Sequence, residues 1–227
     1  MRIERCADAG ELATRTAALL AAALDDALAA RGAAHLALAG GTTPAGAYAL
    51  LAPSRWEGVE LWFGDERCVG PQDPQSNYRM AAQTLLGHAG GALVHRIEGE
   101  LGAEAAAARY DALLRDRLLE PVLDIVLLGI GQDGHTASLF PGNVALAERE
   151  LAAVAVHDAP KPPPDRVSLT LPVLRAARAC ILLAAGEDKA APLARVLAGP
   201  DEAVPASLLA RERLTIVADA EALGGGG

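Results

Sequence analysis

His135 and Asp133 stand two residues apart in GIGQDGHTASLFPG, residues 129–142. An imidazole near its ordinary pKa of about 6.5 can take a proton from water at neutral pH, and a neighbouring carboxylate can hold it in one tautomer. The same stretch contains G-x-G-x-x-G (Gly129, Gly131 and Gly134) behind the apolar run DIVLL. That spacing alone is a dinucleotide-binding fingerprint, but such a loop opens an early βαβ unit, with an acidic residue about 20 positions on at the end of the next strand. Here Phe140, Pro141 and Gly142 break any helix begun at the loop, and Glu148 and Glu150 fall in a polar helical stretch. Acid–base chemistry fits the residues better than a bound cofactor, and no cofactor or metal is expected.

Three other loops also follow apolar runs. AGGTTPAG (39–46) offers close backbone approach at Gly40 and Gly41, the hydroxyls of Thr42 and Thr43, and the free N–H groups of a new helix, all suited to phosphate. It lacks the lysine of a Walker loop. Asp65, Glu66 and Arg67 come directly after Trp62 and Phe63. A guanidinium there can hold a phosphate or carboxylate, or meet charge developing on a carbonyl oxygen. Lys189, in AAGEDKAAPL (184–193), can reach an anion from the start of a helix. Singly, these stretches also read as a glycine turn with a Thr cap, a solvated charged turn and a surface lysine. Together they describe a cleft for a phosphorylated small molecule with a histidine beside it.

Strand and helix patterns alternate along the chain. Strands are expected at 35–40, 59–64, 92–99, 123–129, 154–158, 166–171, 179–186 and 214–219, and helices at 11–31, 44–52, 76–86, 104–119 and 187–198. The alternation predicts an α/β fold with an open, mostly parallel sheet and helices on both faces, whose strands are continuous apolar runs. Ligands of such sheets lie beyond the carboxyl ends of the strands, where all four loops fall. The first 30 or so residues read as one helix. No composition shift divides residues 1–227, so one domain is expected, with residues 219–227 as a frayed tail.

Composition excludes several classes. The net charge is −9 and aromatics are 3% of residues, so neither a basic stripe nor stacking platforms are present for nucleic acid. The longest Ala/Leu stretch is interrupted by Asp25 and Asp26, too soon to span a membrane. MRIERCADAG has no signal-peptide core, and Cys6, Cys68 and Cys180 form neither a disulfide framework nor a C-x-x-C. A cytoplasmic monomer is expected.

Four stretches, LALAGGTTP, WFGDERCV with DPQSNYRM, LLGIGQDGHTASLFPG, and RVSLTLPVL with LLAAGEDKA, resemble in order and spacing the 6-phosphogluconolactonases of the pentose phosphate pathway, from about residue 30 to 215. Glucosamine-6-phosphate deaminases share that fold, but their F-N-E-P-G and D-E-Y patterns are replaced here by Phe140 before Pro141 and by Arg67. The resemblance implies hydrolysis of 6-phospho-D-glucono-1,5-lactone. His135 is then the general base, Asp133 or Asp65 orients it or the water, and Arg67 stabilises the oxyanion or binds substrate. Gly40, Gly41, Thr42, Thr43, Lys189 and Arg166 grip the phosphate. The alternatives are a deaminase-like isomerase and a sugar-phosphate sensor without turnover.

Overall fold

A computed structural model describes residues 1–118 and 120–225. Its main sheet has seven parallel strands in the order β1 (Arg2–Cys6), β10 (Leu214–Asp219), β9 (Ala179–Ala184), β6 (Ile125–Gly129), β2 (Ala34–Leu38), β3 (Val59–Phe63), β5 (Leu93–Val94). A second sheet of three antiparallel strands, β4 (Asp65–Arg67), β8 (Arg166–Leu169) and β7 (Ala153–Val156), leans on the first. Consecutive residues of β2, β3, β6, β9 and β10 are nearly all buried, so both faces of the central strands are covered, as their unbroken apolar runs require.

The helices are α1 (Ala9–Arg31), α2 (Thr42–Tyr48), α3 (Asn77–Ala81, continued by a π turn to Leu86), α4 (Ala103–Arg117), α5 (Leu171–Ala176) and α6 (Ala190–Ala198). Asp8 caps α1 by accepting from the N–H groups of Gly10 and Glu11, and Gly32 closes it in the left-handed region. Its buried stripe (Leu12, Thr16, Leu20, Leu24, Leu28) packs on α2, β2 and β10. Tyr110 of α4 meets the Trp62 ring at 6.0 Å and exchanges hydrogen bonds with the backbone of Phe63.

Several expectations change. The first residues are not all helix: RIERC pairs with β10 as an edge strand. Its charged side chains hide the pattern, because Glu4 is held by Arg2 and Arg15 and only Cys6 is buried. The strand expected at 92–99 shrinks to Leu93–Val94, although the His95 N–H still donates to Leu61 O. α5 was not expected; Thr170 precedes it and Pro172 occupies its first turn. The expected tail does not fray at 219: the Asp219 carboxylate accepts from the N–H groups of Gly186 and Ala222, and Ala222 is buried. Gly226 and Gly227, and Leu119 at the end of the helix expected over 104–119, lie outside the described residues.

Sheet order reverses between β2 and β6. From β2 the chain runs outward through β3 to β5, then returns to place β6 on the other side of β2. That reversal opens a crevice beyond the carboxyl ends of the two strands.

Candidate active site

In this crevice lies a pocket of about 150 Å3. Gly40 follows β2, Asp65 and Arg67 come from β4, Gly129, Gly131 and His135 from the end of β6, and Arg166 from β8. Three of the four strand-end stretches thus converge, joined by Arg166 of β8.

The loop after β6 is a turn, not the start of a helix: Gly134 N–H donates to Gly131 O, Gly131 N–H to His135 O, and Thr136 bridges Leu139. The glycine-rich spacing therefore has no helix N-terminus on which a pyrophosphate would rest. His135 Nδ1 lies 2.5 Å from Asp133 Oδ1, which also accepts the His135 backbone N–H. Burial pushes the Asp133 carboxyl up, but the charge and hydrogen bonds of His135 outweigh it and hold the carboxyl below its ordinary value. An ionised carboxylate only accepts, so the proton is assigned to Nδ1 and the lone pair is left on Nε2. A Cβ on Gly131 would stand 2.1 Å from His135 Nδ1 and 2.6 Å from Asp133 Oδ1. This glycine makes room for the His–Asp pair. The Phe140 ring backs the imidazole at 4.5 Å between centroids. Ala137, on the pocket wall, has φ of 49°, a strained conformation for a residue with a Cβ.

The Asp65–Glu66–Arg67 triplet is strand, and its members divide their roles. Asp65 is buried; it accepts Ser138 Oγ at 2.6 Å and Asn77 Nδ2 at 3.1 Å. Asp133, not Asp65, contacts His135. Glu66 is structural: its carboxylate accepts from the N–H groups of Arg67, Asn77 and Tyr78 and from Ser76 Oγ, fixing the start of α3. Arg67 donates Nη1 to Gln75 O at 2.6 Å, while its buried Nε has no partner among the described residues.

Arg67 and Arg166 face each other in the register of β4 and β8. Arg166 is buried, donates to the carbonyls of Lys161 and Pro163, and lies 5.4 Å over the Phe140 ring. Burial pulls its pKa down, Asp65 opposes that, and Arg67 adds to it. Two neighbouring cations taken from water favour a bound anion.

The remaining predicted residues stand farther out. Gly41 and Thr42 are exposed and Thr43 half-buried at the start of α2. Gly40 is the member of that loop on the pocket wall, where a Cβ would strike Asn77 Oδ1 at 2.0 Å. Lys189 Nζ pairs with Asp188 at 2.6 Å, and Asp188 also accepts Gln132 Nε2 at 2.9 Å. The lysine therefore abuts the His135 loop through a carboxylate and does not line the pocket. Sequence reasoning missed Ser138 and Asn77. Ser138 meets Asp65 across 73 positions, and Asn77 looks like an ordinary residue of a helix start. Among the described residues, no group of three His, Cys, Asp or Glu is placed to hold a metal ion, and no helix is long and apolar enough to cross a membrane.

The chain is 42% identical over 210 residues to the 6-phosphogluconolactonase of Streptomyces coelicolor, covering 84% of this chain and 80% of the relative. It is 44% identical to the human 6-phosphogluconolactonase over 73% of this chain, a match that spans 64% of the relative's length. The solved 6-phosphogluconolactonase of Trypanosoma cruzi superposes with a TM-score of 0.87 at 29% identity, over 97% of this chain and 95% of that one. Residues 7–217 match the model of the glucosamine-6-phosphate isomerases/6-phosphogluconolactonase family, and the chain belongs to that family.

Proposed function

We propose that the protein hydrolyses 6-phospho-D-glucono-1,5-lactone to 6-phospho-D-gluconate in the oxidative pentose phosphate pathway. The observation that carries this reading is the His135–Asp133 pair in a pocket that also holds Arg67 and Arg166. A lactone is a cyclic ester, so its hydrolysis needs an activated water, a stabilised oxyanion and a grip on the phosphate.

His135 Nε2 takes a proton from water, and the resulting hydroxide oxygen bonds to the lactone carbonyl carbon. The carbonyl electron pair moves onto oxygen, where the Arg67 guanidinium on the pocket wall is suited to receive it. Collapse of the tetrahedral intermediate breaks the bond from that carbon to the ring oxygen, which takes the proton back from His135. Asp133 steadies the imidazolium between the two transfers. A general base contributes about 10²–10⁴-fold, and one oxyanion donor about 10²–10³-fold. Arg166 and the Gly40–Gly41–Thr42–Thr43 loop take the phosphate; Lys189 joins them only by leaving Asp188. Asp65, fixed by Ser138 and Asn77, offsets the two guanidiniums. Three free thiols suit the cytoplasm.

The test is the decay of freshly generated lactone, followed by NMR with and without protein, because the lactone also hydrolyses unaided. Decay far above the blank, with no turnover of glucosamine 6-phosphate, is expected. Decay equal to the blank from folded protein would overturn the reading.

A further inference from the structure

At the opposite end of the sheet, the starts of β6, β9 and β10 border a second cleft, of about 930 Å3. Arg149, Arg175, Arg178 and Arg213 line it, against two carboxylates, Glu120 and Glu212. A protein of net charge −9 thus gathers four guanidiniums around one concavity. We propose that this cleft binds a multivalent oxyanion: a small molecule carrying at least two phosphate or carboxylate groups.

Among the described residues, only one of the four, Arg178, forms an ion pair. Among the described residues, neither Glu120 nor Glu212 pairs with any of them. Arg178 contacts a carboxylate, Asp124, at 3.3 Å, but Asp124 is already taken by Arg31 at 2.6 Å and by the His35 N–H, and the Arg178 side chain is 56% exposed. Arg175 makes no side-chain hydrogen bond among the described residues. The other two are pinned by backbone carbonyls: Arg213 Nη1 donates to Ala176 O at 2.7 Å, and Arg149 Nη1 to Leu146 O at 2.7 Å. Each guanidinium has five N–H donors, so pinning one nitrogen leaves donors for a ligand and removes part of the ordering cost of binding. Carboxylate and phosphate both match the guanidinium fork, and the volume lies in the range of small-molecule sites. Pro172 and Leu171 supply an apolar wall for a carbon framework.

The position separates this cleft from the proposed active site. Arg178 and Arg213 directly precede β9 and β10, whereas the His135 loop follows the carboxyl end of β6. The two sites can therefore be emptied independently.

The test is isothermal titration of the full chain with sodium tripolyphosphate and, separately, citrate, at about 50 mM salt, where surface charges are weakly screened. Wild type, Arg149→Ala/Arg175→Ala and Arg67→Ala are compared. At least one probe is expected to bind wild type in the sub-millimolar range, about tenfold or more weaker to the double variant, and within about threefold of wild type to Arg67→Ala. The better probe tells phosphate from carboxylate. Lactone turnover of the double variant stays at the wild-type level, which reports an intact fold. Arg175→Glu, changing a side chain with no bonds to lose, provides a second variant and should weaken binding likewise. Binding of neither probe, or binding unchanged in the cleft variants, would overturn the proposal. So would binding lost on Arg67→Ala, which would place the anion in the His135 pocket.

Discussion

His135 and His95 each rest a ring nitrogen on a carboxylate, Asp133 at 2.5 Å and Glu60 at 2.7 Å, yet their surroundings differ. Around His95 the charges are matched. Glu60 also holds Arg117 at 2.9 Å, Arg109 pairs with Glu98, and Arg96 with Glu100. Trp62 stacks on the His95 ring at 4.1 Å and donates to His35. Around His135 the cations are left over: Arg67 and Arg166 form no ion pair among the described residues, and Arg67 Nε is buried without a partner. A histidine–carboxylate pair alone is thus no mark of catalysis. What separates the regions is that the guanidiniums around His95 are paired with carboxylates, whereas the two near His135 contact none among the described residues, an arrangement suited to an anionic substrate.

Removing a cation from the His135 region should cost heavily. Arg67→Ala should lower kcat/KM for the lactone by about 10²–10³-fold while melting near wild type, in parallel kinetic and thermal assays. A change of a few-fold would move the oxyanion role to another donor. Asp133→Asn comes next. It keeps the shape but lets the imidazole choose the other tautomer, so kcat should fall, by no more than the ~10²–10⁴-fold that the base itself contributes.

In the His95 region the same kind of change should act on stability alone. Glu60→Gln weakens charge-assisted bonds to His95 and Arg117 and should cost about 1–3 kcal/mol in chemical denaturation, with kcat/KM unchanged. Acid should probe this region too. Burial holds His35 below its ordinary pKa of about 6.5. The unfolded chain therefore takes a proton there that the folded chain resists, and stability falls as the pH drops below about 6.5. Burial pushes the Glu60 carboxyl up, but its bonds to His95 and Arg117 outweigh that and hold it below the usual range. Its contribution is present above about pH 4.3 and lost as the pH falls through the folded value. Melting curves from about pH 8 down to about pH 2 should show both losses in wild type, and His35→Gln should lack the upper one. Superimposable curves would remove His35 from the acid response.

Most of the fold was readable because central strands of a parallel sheet are buried on both sides and spell continuous apolar runs, as in Ile125–Gly129 and Ala179–Ala184. Two strands, one at the edge of the main sheet and one in the small sheet, carry no such signal. RIERC and Asp65–Arg67 look like solvated segments because pairing, not burial of every side chain, makes them strands. The site was readable where chemistry and turn residues fall together, at Gly131, Asp133 and His135. It was not readable where partners come from distant segments: Ser138 reaches Asp65 from 73 positions away, and Phe140 meets the Arg166 guanidinium. Lys189 shows the opposite case, a lysine placed at a strand end whose charge is taken up by the preceding residue, Asp188.

The most direct test of the account is lactone decay catalysed by His135→Ala, read with the binding of a non-hydrolysable phosphate ester to the same protein. Loss of about 10²–10⁴-fold in kcat with phosphate-ester affinity kept is the predicted result. Turnover within a few-fold of wild type, from a variant that binds normally, would contradict His135 as the base and with it the distinction between the two histidine pairs.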